Sequence, residues 1–270
     1  MMKVSVIIVN YNSGKLLIGC VDSIFNNVPD FIFEIIVVDN ASKDSSIAEL
    51  EEKYGAQVTI IKSANNLGFA AANNLGASRT SGDILFFLNP DTEILSSAIW
   101  NEFPQIGERN IYTTRLTDAD GVEYSNISAI PTIRNYVRRL SGKPYTVWAQ
   151  GSVVIMQRKV FDKLGGWPED YFMYSEDLDL FYNGILQGIY VEVLDASVMH
   201  VGGGTTATVW SPSDRQNRVE RSYFRFSRKY KLMADYHILH LVGFIRTLFK
   251  HPEKAWFVYS VYLKMCRGSI

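Results

Sequence analysis

Apolar, β-branched runs alternate with segments of helical spacing along the first ninety residues. Lys3–Val9 and Phe33–Val38 are predicted strands, and the apolar residues between them recur every three or four positions, as on one face of a helix. The same periodicities predict helices at Ser45–Tyr54 and Gly68–Ser78 and strands at Val58–Ile61 and Ile84–Leu88. This alternation predicts βαβ units and an α/β fold with a Rossmann-like parallel sheet.

Polar residues follow two of these strands directly. Asp39-Asn40-Ala41-Ser42 follows the second strand, and Asn89-Pro90-Asp91 follows the run Ile84–Leu88. Open α/β sheets bind ligands beyond the carboxyl ends of their strands, so a carboxylate at Asp91 could hold a divalent cation there. An ordinary turn also explains Asn-Pro-Asp, and both interpretations stay open. The chain contains no Gly-x-Gly-x-x-Gly and no Walker lysine motif, which disfavours dinucleotide dehydrogenases and P-loop enzymes.

The second half of the chain is less regular. Val147–Met156 is a predicted strand and Lys159–Leu164 a short helix. An aromatic cluster of Tyr171, Phe172 and Tyr174 precedes three acidic residues. These are Glu176, Asp177 and Asp179, which open a helix that runs to about Gln187. Acidic residues in a first helical turn are favoured by the helix dipole alone. A carboxylate beside aromatic rings is also partly desolvated, which raises its pKa and suits a general base.

Composition sets modest limits. The chain has 270 residues, of which 47% are hydrophobic, enough for one large α/β domain with an appendage. Its two cysteines, Cys20 and Cys266, lie near opposite ends, which is typical of a reducing compartment. The apolar stretch Val4–Val9 is too short for a signal sequence, so we expect a cytoplasmic protein.

Charge is distributed unevenly. Residues 215–270 hold 12 Lys and Arg against 3 Asp and Glu, which gives them a net charge of +9. Residues 1–214 therefore carry a net charge of −10. Basic residues recur along Arg215–Lys229, and apolar ones along Ile238–Phe249. No segment approaches the ~20 apolar residues needed to span a bilayer. We expect basic amphipathic helices that lie on an anionic membrane surface, with packing against the catalytic body as the alternative. No nucleic-acid-binding module is recognisable, so we expect no nucleic-acid partner.

The chain contains seven motifs that belong together: Val6–Asn12, Val37–Ser42, Asn65–Ala70 with Asn73–Gly76, Leu88–Asp91, Gly165–Trp167, Tyr171–Leu180 and His200. Together they resemble family 2 glycosyltransferases, the inverting nucleotide-sugar enzymes of the GT-A fold. Within that family the chain is most similar to bacterial rhamnosyltransferases of O-antigen and cell-wall polysaccharide assembly. The resemblance implies a single catalytic GT-A domain at residues 1–205, and the charge pattern predicts a basic helical extension at residues 206–270.

The resemblance also implies a donor site. Asp39 resembles the aspartate that accepts a hydrogen bond from the imide N–H of uracil or thymine. Asp91 and His200 resemble ligands of Mg²⁺ or Mn²⁺, although Asn89 replaces the first aspartate of the common Asp-x-Asp form. The residues expected to contact the donor, dTDP- or UDP-linked, are Val9, Asn10, Tyr11, Asp39, Ser42, Asn65, Gly68, Asn89, Trp148 and Gly151.

The implied reaction is a single in-line displacement. Asp177 resembles the general base, and Glu176 or Asp179 would orient that base or the acceptor. The expected donor is dTDP-L-rhamnose, with a UDP-hexose or galactofuranose donor as the alternative. The expected acceptor is a polyprenyl-diphosphate-linked glycan at the inner face of the cytoplasmic membrane. A non-catalytic glycan- or lipid-binding module and a nucleotidyltransferase remain more distant alternatives.

Overall fold

A mixed β-sheet organises the larger of two units into which the chain divides. The computed structural model describes residues 2–28, 30–202 and 210–267. The sheet unit consists of Met1–Ser128, Trp148–Phe172 and Glu176–Val209, and the helical unit of Ala129–Val147, Met173–Ser175 and Trp210–Ile270. The boundary predicted between residues 205 and 206 lies outside the described residues.

Helices and strands alternate through the first part of the sheet unit. In chain order they are β1 Lys3–Asn10, α1 Lys15–Asn26, β2 Ile32–Asp39, α2 Ser46–Tyr54, β3 Thr59–Lys62, α3 Phe69–Ser78, β4 Ile84–Leu88 and β5 Thr92–Ile94. After a 3₁₀ helix at Ser97–Gln105 come β6 Asn110–Thr117, β7 Glu123–Tyr124, β8 Ile127–Ala129, α4 Ile133–Leu140 of the helical unit, β9 Val147–Ala149, β10 Val153–Gln157, α5 Arg158–Leu164, α6 Glu176–Leu186 and β11 Tyr190–His200.

Within the described residues the main sheet has nine strands, in the order β3-β2-β1-β4-β10-β6-β11-β5, with β7 paired to β6. Strands β3, β2, β1 and β4 are parallel, as the alternating pattern predicts. Strand β10 runs antiparallel to both β4 and β6, β11 is parallel to β6, and β5 is antiparallel to β11. The carboxyl ends of β1, β2, β4, β6 and β11 therefore meet the amino ends of β10 and β5 along one edge, which we call the site edge.

Both faces of the central strands β2, β1, β4 and β10 are largely buried. Along β1, Val6 and Ile8 join one apolar cluster with Leu17 of α1, while Ile7 joins another with Phe87 and Trp167. Because successive side chains of a strand point to opposite faces of the sheet, each of these strands contributes apolar side chains to both sides of the sheet. A strand buried on both faces is therefore a continuous apolar run, as at Ile84–Leu88.

The predicted elements up to Leu88 are confirmed, with ends that differ by at most one residue, and so is the helix that opens at Glu176. The single strand predicted at Val147–Met156 is wrong, because β9 ends at Ala149 and β10 begins at Val153. At the break, the Gln150 backbone N–H donates to the Asn126 carbonyl at 3.0 Å, and the Gly151 N–H donates to a side chain. These bonds take the backbone out of the strand ladder.

The helical unit contains α4 and three longer helices, α7 Pro212–Lys229, α8 Met233–Lys250 and α9 Pro252–Cys266. Its centre holds the fully buried rings of Phe226 and Tyr236, and the Tyr236 hydroxyl donates to Glu220. Glu220 also lies 3.0 Å from Nε2 of His240. Among the described residues, no helix combines the length and the apolar content that a bilayer crossing requires.

Candidate functional site

The site edge gathers the residues that the sequence places after strands. In the parallel register Asn10 pairs with Asp39, and Leu88 pairs with Val153 across the antiparallel boundary. The Asn89 backbone N–H donates to the Ser152 carbonyl at 2.9 Å, and His200 pairs with Thr92. Residues far apart in sequence therefore share one rim of the sheet.

Asp39 is held in a network of side chains at the ends of β1 and β2. Its Oδ1 accepts from Asn10 Nδ2 at 3.3 Å and from the Ser42 backbone N–H at 3.2 Å. Asn10 is fully buried and also donates to Ser42 Oγ and Ser46 Oγ at 3.0 and 2.9 Å. None of these bonds uses Asp39 Oδ2. The Asn10 side-chain amide and the Ser42 backbone N–H thus support the Asp39 carboxylate, whereas Asn10 Oδ1 is buried and has no hydrogen-bond partner among the described residues.

Asn40, to which the sequence analysis gave no role, fixes the loop before α3. Its side chain accepts from the Leu67 N–H at 2.7 Å and donates to Asn66 Oδ1 at 2.9 Å. Gly68, in this loop, has φ of +84°, and a Cβ there would lie 2.4 Å from the Phe172 carbonyl oxygen. The absence of a side chain at Gly68 is therefore required by close packing against backbone. Asn65 is exposed, and its carbonyl accepts from Ser63 Oγ at 2.7 Å.

Asn89-Pro90-Asp91 is a turn that also presents a carboxylate. The Asn89 carbonyl accepts from the Thr92 N–H at 3.2 Å and from Thr92 Oγ1 at 2.6 Å, with Pro90 at the favoured second position. The Asp91 carbonyl accepts from the Val201 N–H at 3.0 Å, which joins the turn to the end of β11. The two interpretations of this motif are therefore compatible.

The side chains of Asp91 and His200 meet at the site edge. Asp91 Oδ1 lies 3.5 Å from His200 Nε2, and only 9% and 12% of the two side chains are exposed. The other ring nitrogen of His200, Nδ1, is 2.7 Å from the Tyr124 hydroxyl. Burial, with Asp91 and Asp118 nearby, raises the pKa of Tyr124.

A divalent cation fits between Asp91 and His200. Two neighbouring ligand atoms on an octahedral ion are about 3 Å apart, close to the separation observed. Two protein ligands leave several coordination positions for phosphate oxygens or water, as Mg²⁺ prefers. Within the described part of the chain, no group of three or more His, Cys, Asp or Glu side chains is arranged to hold a metal ion. The pair therefore suits an ion that arrives with a phosphate ligand.

Asp177 lies at the amino end of α6 and is anchored by backbone. Its Oδ2 accepts from the Gly151 N–H at 3.1 Å, and its Oδ1 accepts from the Leu178 N–H at 2.8 Å. Loss of solvent around the carboxyl raises its pKa from 3.8 to about 6, although the two backbone hydrogen bonds oppose the rise. The folded-state pKa is raised, so stability from this group is present at low pH and is lost as the pH rises from about 4 to about 6. Near neutral pH the carboxylate can accept a proton.

The two neighbouring carboxyl groups have different surroundings. Glu176 is 5% exposed, and burial followed by repulsion from Asp177 raises its pKa well above the ordinary value. Its Oε2 has no hydrogen-bond partner among the described residues. Asp179 is 2% exposed, and its Oδ2 accepts from the Tyr171 hydroxyl at 2.7 Å. Asp179 thus contacts the aromatic cluster, and Tyr171 is a positioning partner that the sequence analysis did not single out.

The remaining predicted substrate contacts lie on either side of this edge. Val9 is half-buried and packs with Val38 and Ala72, and Tyr11 follows β1 half-buried. Trp148 is half-buried against the second apolar cluster. A Cβ at Gly151 would lie 3.3 Å from the Phe69 ring and 3.6 Å from Asp177 Cβ, so Gly151 packs directly against the carboxylate residue.

Comparison with known proteins identifies relatives of this chain. The model of Glycosyl transferase family 2 matches residues 5–165, more than half of the chain. A poly(ribitol-phosphate) beta-glucosyltransferase of Bacillus spizizenii is 33% identical over 126 residues, which cover 44% of this chain and 20% of that protein. The low-salt glycan biosynthesis hexosyltransferase Agl10 of Haloferax volcanii is 26% identical over 213 residues, covering 71% and 66%.

A third relative is the N-acetylglucosaminyl-diphospho-decaprenol L-rhamnosyltransferase of Mycobacterium tuberculosis, 24% identical over 186 residues that cover 54% of this chain and 59% of that protein. The matches thus span less than two thirds of the length of each of these curated relatives.

Solved structures share the fold. GalNAc-T7 with UDP, GalNAc and Mn²⁺ superposes with a TM-score of 0.64 at 18% identity, covering 84% of this chain and 48% of that one. The mannosyltransferase PcManGT of Pyrobaculum calidifontis, with GDP-Man and Mn²⁺, gives 0.57 at 16% identity, covering 97% and 80%. The predicted GT-A fold is confirmed.

Replacing Gly68 by alanine tests the packing of the loop before α3. Gly68→Ala adds a Cβ against the Phe172 carbonyl as well as left-handed strain, whereas a Cβ at Gly121, with φ of +78°, would meet no atom within 4 Å. We expect Gly121→Ala to lower the free energy of unfolding by about 1–2 kcal/mol from strain. Gly68→Ala should lose a further ~1–3 kcal/mol from overpacking. Urea unfolding measures both, and equal losses would contradict the packing argument.

Proposed function

The chain belongs to glycosyl transferase family 2 and is a glycosyltransferase, and from this premise we propose that it transfers L-rhamnose from dTDP-L-rhamnose, with inversion, onto a lipid-linked glycan of bacterial surface polysaccharide. One observation carries the proposal. Asp39, the Asp91–His200 pair and Asp177 lie along the same edge of one sheet. A base pocket, a diphosphate site and a proton acceptor are what such a transfer needs.

The proposed chemistry is a single displacement. The acceptor hydroxyl oxygen attacks the anomeric carbon and forms the new C–O bond as the bond to the donor diphosphate breaks. Asp177 takes the hydroxyl proton, and the nucleoside diphosphate leaves with the bonding electrons. The Gly151 and Leu178 N–H groups hold the Asp177 carboxylate in place before and after proton transfer. Glu176 or Asp179 would orient that base or the acceptor.

Asp91 and His200 would hold the cation, Mg²⁺ or Mn²⁺. Use of a divalent cation is supported by the two solved neighbours, which both contain Mn²⁺. When bound, such an ion supplies positive charge against the leaving diphosphate. With Asn89 in place of a carboxylate, fewer negative ligands face the ion, so we expect weak binding without nucleotide.

The donor nucleotide follows from Asp39 in this proposal. A carboxylate oxygen at the base pocket accepts the imide N–H of thymine or uracil, which guanine and cytosine do not offer in the same position. The mycobacterial relative supports rhamnose by its name, while the Bacillus and Haloferax relatives are named as a glucosyltransferase and a hexosyltransferase. A UDP-hexose or galactofuranose donor is therefore the second candidate, and turnover with each sugar nucleotide decides between them.

The helical unit supports an anionic membrane surface as a partner. It holds 16 Lys and Arg against 4 Asp and Glu, a net charge of +12. On α8, which packs with α4, the exposed fractions of Leu241 and Phe249 are 50% and 85%. On α4, Leu140 is 70% exposed, and Arg134 and Arg139 are exposed on the same helix. Basic and apolar side chains exposed on neighbouring helices match the chemistry of an anionic lipid interface. The lipid-linked acceptor would be met at this surface.

Substitution of Asp177 tests the general base. We expect Asp177→Asn to lower kcat by about 10²- to 10⁴-fold, because the amide cannot accept the proton, with nucleotide affinity unchanged. In the wild type, kcat/KM should rise about tenfold per pH unit below a pKa of about 6 and level off above it, because the base must be ionised. Steady-state rates across pH 4.5–8.5 measure both effects.

The matched control is Asp162→Asn, which changes an exposed carboxylate on α5 and should leave the rate unchanged. Near-normal turnover by Asp177→Asn, or a pH profile without a step near 6, would contradict the assignment.

Vesicle binding tests the proposed membrane surface. Each basic residue near anionic lipid contributes about 1 kcal/mol, so Arg134→Ala with Arg139→Ala should weaken binding to phosphatidylglycerol vesicles roughly 30-fold. Lys15→Ala with Lys163→Ala, exposed in the sheet unit, is the control. Co-sedimentation measures the binding. Equal binding to vesicles of neutral phosphatidylcholine, or no effect of the arginine pair, would overturn the membrane proposal.

A further inference from the structure

Tyr124 lies on β7, outside the motifs that the sequence predicts to be functional, yet its hydroxyl contacts His200. Strand β7 pairs antiparallel with β6, with Tyr124 opposite Leu116, and this pairing brings the tyrosine to the end of β11. The Tyr124 hydroxyl is 2.7 Å from His200 Nδ1 and 3.5 Å from the His200 carbonyl oxygen. The ring also packs against the first apolar cluster. The hydroxyl is therefore held at one specific side of the imidazole.

The two ring nitrogens of His200 have opposite surroundings. Nδ1 faces the Tyr124 hydroxyl, and Nε2 faces the Asp91 carboxylate. A neutral imidazole carries one proton, so only one nitrogen has a free lone pair. In one tautomer, Nε2–H points toward Asp91 and Nδ1 accepts from Tyr124. In the other, Nδ1–H donates to the Tyr124 oxygen, and the Nε2 lone pair faces the same space as Asp91 Oδ1.

Only the second tautomer can bind a cation through Nε2. A hydroxyl suits both tautomers because it donates and accepts, and in the second its own proton can turn to the His200 carbonyl. A side chain that only donates or only accepts would favour one tautomer, and a phenyl ring would leave Nδ1–H without this partner.

We propose that Tyr124 is a positioning residue that accepts the Nδ1–H of His200 and thereby presents the Nε2 lone pair, beside Asp91, to the divalent cation of the donor diphosphate. The inference rests on the proposed function and extends it to a residue outside the ligand pair. It concerns the orientation of His200, and Tyr124 itself does not contact the ion. Partners of this kind commonly change metal affinity by about 10- to 100-fold.

The test compares Tyr124→Phe with Tyr190→Phe. Tyr190 lies at the opposite end of β11, with 53% of the residue exposed, so its substitution controls for loss of a hydroxyl from the same region of the sheet. Binding of Mn²⁺ to each purified protein, alone and with dTDP or UDP, is measured by the electron paramagnetic resonance signal of the free ion. We expect a loss of affinity of about 10- to 100-fold in Tyr124→Phe and none in Tyr190→Phe.

Nitrogen NMR of the His200 ring gives a second readout that a general loss of stability would not produce. In the wild type, Mg²⁺ with the nucleotide should stabilise the tautomer protonated at Nδ1. In Tyr124→Phe that population should fall at the same Mg²⁺ concentration. Unchanged Mn²⁺ affinity, or an unchanged tautomer population, would overturn the proposal, and thermal unfolding of both variants confirms that they are folded.

Asp91→Ala distinguishes a failure of the proposed role of Tyr124 from a failure of the proposed cation site. If it abolishes Mn²⁺ binding while Tyr124→Phe binds as the wild type does, the role of Tyr124 is refuted and the cation site stands. If Asp91→Ala binds Mn²⁺ as the wild type does, the cation site of the proposed function is itself refuted.

Discussion

The pairing of β10 with β4 is the constraint on which the site depends. Its antiparallel register sets Val153 against Leu88, so that Ser152 accepts the Asn89 N–H while the adjacent Gly151 N–H donates to Asp177. Three consecutive residues, from Gly151 to the start of β10, thereby link the turn that presents Asp91 to the carboxylate at the start of α6. A shift of one residue in this register would turn Gly151 away from Asp177 and break that link.

Burial of acidic groups at one edge shapes both stability and chemistry. The sheet unit as a whole holds 11 Lys and Arg against 24 Asp and Glu. Asp39 is stabilised by Asn10 and Ser42, and Asp177 by two backbone N–H groups, whereas Glu176 is buried with an oxygen that has no partner among the described residues. The hydrogen-bond donors to Asp39 and Asp177 are neutral, so no lysine or arginine among these partners offsets the negative charge of an ionised carboxylate there. Such an edge is suited to receive a cation with its phosphate ligand.

The sequence predicted the parallel half of the sheet because its strands are buried on both faces and are bounded by clear polar ends, as at Asp39 and Asp91. It also placed Asp177 on a helix start, and the rise in its pKa follows the predicted loss of solvent. It did not predict β6, whose threonines interrupt the apolar pattern, or the break at Gly151. The contact of Tyr124 with His200 could not be predicted either, since it spans 76 residues and exists only through sheet pairing. Asn40 and Tyr171 act through side-chain geometry that has no periodic signature.

Thermal unfolding with dTDP, UDP, GDP and CMP, each with and without Mn²⁺, tests whether the site edge binds a pyrimidine nucleotide together with a cation. A ligand at 100 times its Kd adds about 2.7 kcal/mol of stability, which for a protein of this size raises Tm by several degrees. The account predicts a rise with dTDP or UDP that requires Mn²⁺ and is lost in Asp91→Ala. Absence of any nucleotide response, or an equal response in Asp91→Ala, would contradict it.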